Sequence, residues 1–160
     1  MRFQMKRRLA LLAIAGCAVV ASSSVRAAME PDNVAAVVSQ AAAECKTMGG
    51  RPDTEAMLTV DDLNGDGGED WIVDFSKLRC DGSANPFCGS GGCSLQIFLW
   101  SAGDAWKSVF DDVVQQYRLT RVQGRRGIEI TSRGDACGRS NTRTCRKLYI
   151  FGRSGLNPAR

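Results

Sequence analysis

The stretch SLQIFLWSAGDAWKSVF, residues 94–110, decides the fold class. Leu95, Ile97 and Leu99 recur at every second position, with Gln96 and Phe98 between them. That is the period of a strand, whose successive side chains leave on opposite faces, and not the roughly 3.6-residue period of a helix. Ser101-Ala102-Gly103-Asp104 follows as a run of turn-forming residues, so residues 94–100 and 105–110 are expected to pair as a hairpin. Further along, Ile128 and Ile130 flank Glu129 with the same period, and Gly, Asn, Asp and Ser punctuate the chain from residue 55 onward. Further strands are accordingly expected near 55–60, 71–75, 115–122, 127–132 and 145–151.

Before residue 55 the period is different. Val34, Val37, Val38, Ala41, Ala42, Cys45 and Met48 fall on one face at helical spacing, which predicts a helix over 33–48. Asp32 is placed to cap its start, Gly49 and Gly50 supply a left-handed stop, and Pro52 prevents the helix from resuming. Its apolar face needs a sheet to pack on. The expected fold class is therefore α+β: one amphipathic helix packed on a mostly antiparallel β-sheet and stapled by disulfides. Residues 28–160 are expected to form a single domain, long enough to bury one core, and no internal repeat divides them.

Residues 1–27 read as a cleavable signal peptide. Arg2, Lys6, Arg7 and Arg8 make a cationic start, Leu9–Ala21 is apolar, and Val25-Arg26-Ala27 places small residues where a signal peptidase reads. The apolar run is shorter than the roughly 20 residues a spanning helix needs, so no transmembrane span is expected. Ile14-Ala15-Gly16-Cys17 resembles a bacterial lipobox and gives a second reading, a lipid-anchored envelope structural protein acylated at Cys17. The apolar run continuing through Ala18-Val19-Val20-Ala21 favours cleavage after Ala27 instead, and a periplasmic or secreted location.

Export changes the meaning of the cysteines. With Cys17 set aside, Cys45, Cys80, Cys88, Cys93, Cys137 and Cys145 are an even set in an oxidising compartment, which predicts disulfides. Six cysteines allow 15 connectivities. Spacing suggests Cys137 with Cys145 across a hairpin and Cys88 with Cys93 across Gly89-Ser90-Gly91-Gly92, leaving Cys45 with Cys80. Zinc is disfavoured because the chain has no CxxC pair and no histidine.

Export also changes the charge. The full chain carries +4, but residues 28–160 hold 16 basic against 17 acidic groups. Within them, residues 28–117 hold five basic and 15 acidic groups, and residues 118–160 hold 11 basic and two acidic. Arg118, Arg121, Arg125, Arg126, Arg133, Arg139, Arg143, Arg146 and Lys147 could present a face to an anionic envelope ligand, or pair with the acidic half. Nucleic acid is not an expected partner, since the basic excess of the whole chain belongs to the signal peptide.

The motif that carries chemistry is Asp62-Leu63-Asn64-Gly65-Asp66-Gly67-Gly68-Glu69-Asp70. Oxygen side chains stand at loop positions 1, 3, 5 and 9, and Gly67 stands at the sharp turn. Calcium takes about six to eight hard oxygens, and alternate residues of a tightly curled loop point inward. Asn-Gly and Asp-Gly also make tight turns without any metal.

The pattern D-x-N-x-D-G-x-x-D resembles the calcium loops of FG-GAP-type repeats, dockerins and EF-hands, over residues 62–70 only. Position 12 is Val73 in a strand-like run and not the bidentate Glu of an EF-hand, so the FG-GAP type is the closer likeness. The resemblance implies Asp62, Asn64, Asp66 and Asp70 as side-chain ligands of a structural calcium and Gly68 as a carbonyl ligand, with Asp61 or Asp74 as extras. It implies modest affinity, a Kd of about 10⁻⁴ to 10⁻³ M.

Absence of histidine removes Ser-His-Asp and Cys-His nucleophilic systems and His-ligated zinc hydrolysis. Carboxylate pairs among Asp61, Asp62, Glu69, Asp70, Asp74, Asp111 and Asp112 leave a small carboxylate-based or calcium-assisted envelope hydrolase as an alternative. Arg133-Gly134-Asp135 matches a cell-adhesion tripeptide, and Gly89-Ser90-Gly91-Gly92 could cradle an anion, but neither has a supporting context. No catalytic residue is assigned. The expected function is an exported, non-enzymatic binding or interaction domain with a structural calcium loop, its ligand a protein or an anionic envelope component.

Overall fold

The structure is a computed structural model that describes residues 30–101, 105–134, 138 and 144–159. The expected signal peptide, with Cys17, lies outside the described residues, as do Asp135 and Cys137.

The chain forms a helix α1 (Asp32–Thr47) and strands β1 (Arg51–Asp53), β2 (Leu58–Asp61), β3 (Asp70–Asp74), β4 (Arg79–Asp81), β5 (Cys88–Gly89), β6 (Gly92–Ser101), β7 (Ala105–Val114), β8 (Gln116–Val122), β9 (Arg125–Arg133), β10 (Thr144–Gly152) and β11 (Gly155–Pro158). All pairings are antiparallel. One sheet has five strands: β2, β3 and β6 in order, with β5 and β7 both pairing β6. A second sheet is the four-stranded meander β11-β10-β9-β8, and β1 pairs β4 as a small ribbon. The hairpin expected around residues 94–110 is β6–β7, with Ser101 opposite Ala105; residues 102–104 of its turn lie outside the described residues.

The fold is richer in β-structure than one helix on a sheet. Trp71, Val73 and Phe98 face α1 and pack with Val34, Ala41, Met57, Phe75 and Leu78. Ile72, Leu95, Ile97 and Leu99 face the other way and pack with Ile128, Ile130 and Phe151 of the four-stranded sheet. The five-stranded sheet is thus apolar on both faces and needs a cover on each. The helix supplies one and the meander supplies the other. Phe98, which breaks the polar alternation of residues 94–100, was the sequence sign of this second covered face.

Four local expectations change. The N-cap position is Pro31, with no side-chain cap, and Asp32 lies in the first turn. Met48 is past the last helical residue and 48% exposed, since the chain turns off at Gly49 with φ of 82° before its side chain can reach the core. Residues 55–57 form a single tight 3-10 turn that buries Met57, and the strand begins only at Leu58. The segment expected as one long loop over 76–93 carries β4 and β5, held by pairing to β1 and β6.

Cys45 is bonded to Cys80 and Cys88 to Cys93, with Cα–Cα separations of 5.7 and 4.1 Å. Cys145 is also disulfide-bonded; its expected partner Cys137 lies outside the described residues. Gly50 sits directly against the Cys45–Cys80 bridge, where a Cβ would overlap both sulfurs.

Candidate functional site

Residues 62–69 connect β2 to β3 and curl through a ladder of side-chain to backbone hydrogen bonds. The Asp62 carboxylate accepts from the amides of Gly65 (2.7 Å), Asp66 (3.1 Å) and Gly67 (3.1 Å). Asn64 Oδ1 accepts from Asp66 N at 2.8 Å, and Asp66 Oδ1 accepts from Gly68 N at 2.8 Å. Asn64 Nδ2 donates to Asp66 Oδ2 at 2.8 Å. Each acidic or amide side chain at an alternate position therefore turns back on the loop, as short Asp and Asn side chains do. Gly65 and Gly67 take φ of 81° and 86°, a region costly for any residue with a Cβ. Gly68 lies under the Trp100 ring, where a Cβ would clash.

Asp70 differs from the other three. It is the first residue of β3 and fully buried, and its carboxylate accepts from Leu63 N (2.8 Å), Asn64 N (3.3 Å) and Trp100 N (2.8 Å). Burial pushes its carboxyl pKa up against the opposing pull of those three amides. Asp70 thus ties the start of the loop to β6. The loop's other side is fastened by Trp106, whose Nε1 donates to Glu69 O at 2.7 Å.

Among the described residues, no group of three or more Cys, Asp or Glu side chains is already assembled as a metal cage. The donor chemistry still suits a hard cation. A carboxylate offers about four acceptor positions, of which the loop's hydrogen bonds use three on Asp62, three on Asp70 and two on Asp66. Asp61 and Asp74 are turned to other work: Asp61 forms an ion pair with Arg126, and Asp74 Oδ1 accepts from Ser76 N and Ser76 Oγ at 3.0 and 2.6 Å.

The remaining carboxylates do not converge. Asp111 and Asp112 lie exposed on β7, and Leu95 of β6 stands between Asp112 and Asp74 in the sheet register. Among the described residues, an Arg126–Asp61 ion pair joins the acidic and basic halves, while Arg118 and Arg146 share Glu129 within the four-stranded sheet. The side chains of Arg118 and Arg146 on that sheet are exposed. Arg133 of the tripeptide donates to Ser90 O and Oγ at 3.3 and 3.2 Å, tying β9 to the Gly89–Gly92 turn, which joins β5 to β6.

Sequence reasoning missed Trp100 and Trp106 as supports of the loop, and it missed Tyr117. The Tyr117 hydroxyl is half-buried near the Asp74 carboxylate, and its pKa is pushed up to about 12, first by burial and then by that carboxylate. Neither role leaves a signal in spacing, because the partners are far apart in the chain.

The fold and loop define a disulfide-bonded, mostly antiparallel β protein with one helix and a hydrogen-bonded acidic turn. Comparison with protein-family models, curated proteins and solved structures finds no match to this chain.

Proposed function

We propose that this chain is an exported, non-enzymatic binding or interaction domain whose shape is held by disulfides and by one structural calcium in the loop 62–70. The observation that carries this reading is the loop itself. Side chains at alternate positions curl inward around glycines of positive φ, and acceptor positions are left over on Asp62, Asp66 and Asp70. Asp62, Asn64, Asp66 and Asp70, with the Gly68 carbonyl, would hold the ion, which would offset the like charges of the loop and brace β2 against β3.

Export is supported by the cationic and apolar start of the sequence and by the disulfides, which persist in oxidising compartments such as the periplasm or outside the cell. Among the described residues no helix is long and apolar enough to cross a membrane. The partner is a protein or an anionic envelope component.

Thermal unfolding in chelator and in millimolar calcium tests the loop. A free calcium ten to one hundred times the Kd should add about 1.4 to 2.7 kcal/mol of stability, and Asp66→Ala should remove that gain. An unchanged Tm in the parent chain rules out the calcium reading. Intact mass of the exported chain tests the rest: cleavage after Ala27 is expected, and a lipid-bearing Cys17 would replace it with the anchored alternative.

A further inference from the structure

At one end of the seam between the two sheets the layers do not close, leaving a cavity of about 320 Å³. Leu63, Leu119 and Phe151 give it an apolar wall, and Asp61, Arg121 and Arg126 give it a charged one. Leu63 and Phe151 are core residues, 1% and 2% exposed, while Leu119 is 39% exposed. The cavity's volume is at the lower end of the roughly 300–1,000 Å³ of small-molecule sites, and it is open to solvent.

The charges on its wall do not balance. Arg121 and Arg126 stand directly opposite each other in the β8–β9 register, a like-charge cross-strand pair that costs stability. Asp61 offsets Arg126. Arg121 donates to the neutral carbonyl of Gly124 at 3.3 Å, and among the described residues no carboxylate pairs with it. The two guanidinium groups less one carboxylate leave one positive charge beside an apolar wall.

We propose that this cavity binds a small organic carboxylate with a short apolar body. The carboxylate accepts from Arg121 and from the Arg126 donors that Asp61 leaves open, and the apolar body lies along the exposed side chain of Leu119, with only the edges of Leu63 and Phe151 at its floor. A single uncompensated charge suits a monoanion, and Asp61 at the wall repels a phosphate dianion. Guanidinium groups bind carboxylates through paired N–H donors, which gives orientation as well as charge. The proposal rests on the reading of the chain as a binding domain and gives that reading a ligand class. It does not depend on calcium, although Asp61 immediately precedes Asp62.

Sodium hexanoate is the probe, titrated into the disulfide-bonded chain while NMR follows the methyls of Leu63 and Leu119 and the Nε of Arg121. Saturable shifts confined to these groups are expected, with 1-hexanol and inorganic phosphate each at least about tenfold weaker. Arg121→Gln should weaken hexanoate at least about tenfold without lowering Tm, since it relieves a repulsion, and Leu119→Ser should weaken it with phosphate unaffected. Absence of saturable shifts up to tens of millimolar, equal binding by Arg121→Gln, or phosphate tighter than hexanoate overturns the proposal. Repeating the titration in chelator separates the two readings: hexanoate binding persists there even if the calcium loop proves empty.

Discussion

β3 and β9 are both interior strands of antiparallel sheets, yet they are buried differently. All five residues of β3, Asp70 to Asp74, are buried. In β9, Ile128, Ile130 and Ser132 are buried while Glu129, Thr131 and Arg133 reach toward solvent. β3 has the helix on one face and the second sheet on the other; β9 has a cover on one face alone. The same residue type therefore does different work. Asp70 and Asp74 of β3 have backbone amides, a serine and a tyrosine as partners. Glu129 of β9 shares two exposed arginines in water. Burial turns a carboxylate into an obligation, because an unpaired one costs far more inside than outside.

Seven variants probe the molecule around that contrast, led by the largest expected effect. Replacing both Cys45 and Cys80 by serine frees a 35-residue separation between α1 and the β4 ribbon and should cost about 4 kcal/mol, against about 2 for the five-residue Cys88–Cys93 closure, read by urea unfolding of each double variant. Ile72→Ala in β3 removes a side chain buried between the sheets and should cost about 3 kcal/mol. If Val73→Ala, on the opposite face, cost almost nothing, β3 would not be sealed on both sides.

Asp70→Ala leaves the amides of Leu63, Asn64 and Trp100 without their acceptor and should cost about 2.5 kcal/mol, with hydrogen exchange at those amides speeding first. Tyr117→Phe loses the hydroxyl beside Asp74, at a cost of no more than about 1 kcal/mol at neutral pH, and changes the alkaline limb. The folded pKa of Tyr117 is raised from 10.0 to about 12, so its contribution is complete below 10 and is lost as pH rises toward 12. The parent chain should therefore lose stability across that window more steeply than Tyr117→Phe, whatever else titrates there. Glu129→Ala on β9 should cost no more than about 0.5 kcal/mol and be insensitive to chelator; a loss comparable to that of Asp70→Ala would erase the contrast.

Much of this was legible in the residues. Alternation at Leu95, Ile97 and Leu99 marked β6, and Ile128 and Ile130 marked β9, because a strand with one dominant core face writes its period into the sequence. Cysteine spacing marked Cys88–Cys93, since the four residues between them, three of them glycines, close as a tight turn. In the acidic loop, the alternate spacing of Asp62, Asn64 and Asp66 and the turn at Gly67 were readable from local chemistry. The burial of Asp70 was not, because it depends on Trp100, thirty residues away. The short strands β1, β4, β5 and β11 were also missed: each is too short to show a period, and each exists through its pairing.

The sequence by itself determined the periods, the turns, the helix, the even set of cysteines that predicts disulfides, and the crowding of acidic residues after β2. These rest on composition and on interactions among near neighbours. Spacing suggested Cys45 with Cys80 and Cys88 with Cys93 among 15 connectivities, and the structure decided both. Only the tertiary structure decided that the five-stranded sheet is covered on both faces, that Asp70 and Asp74 face inward while Glu129 faces water, and that Arg121 and Arg126 meet over an open seam. Those facts depend on which face of one element lies against another. Period alone cannot carry that information, because it says which residues share a face and not what lies against that face.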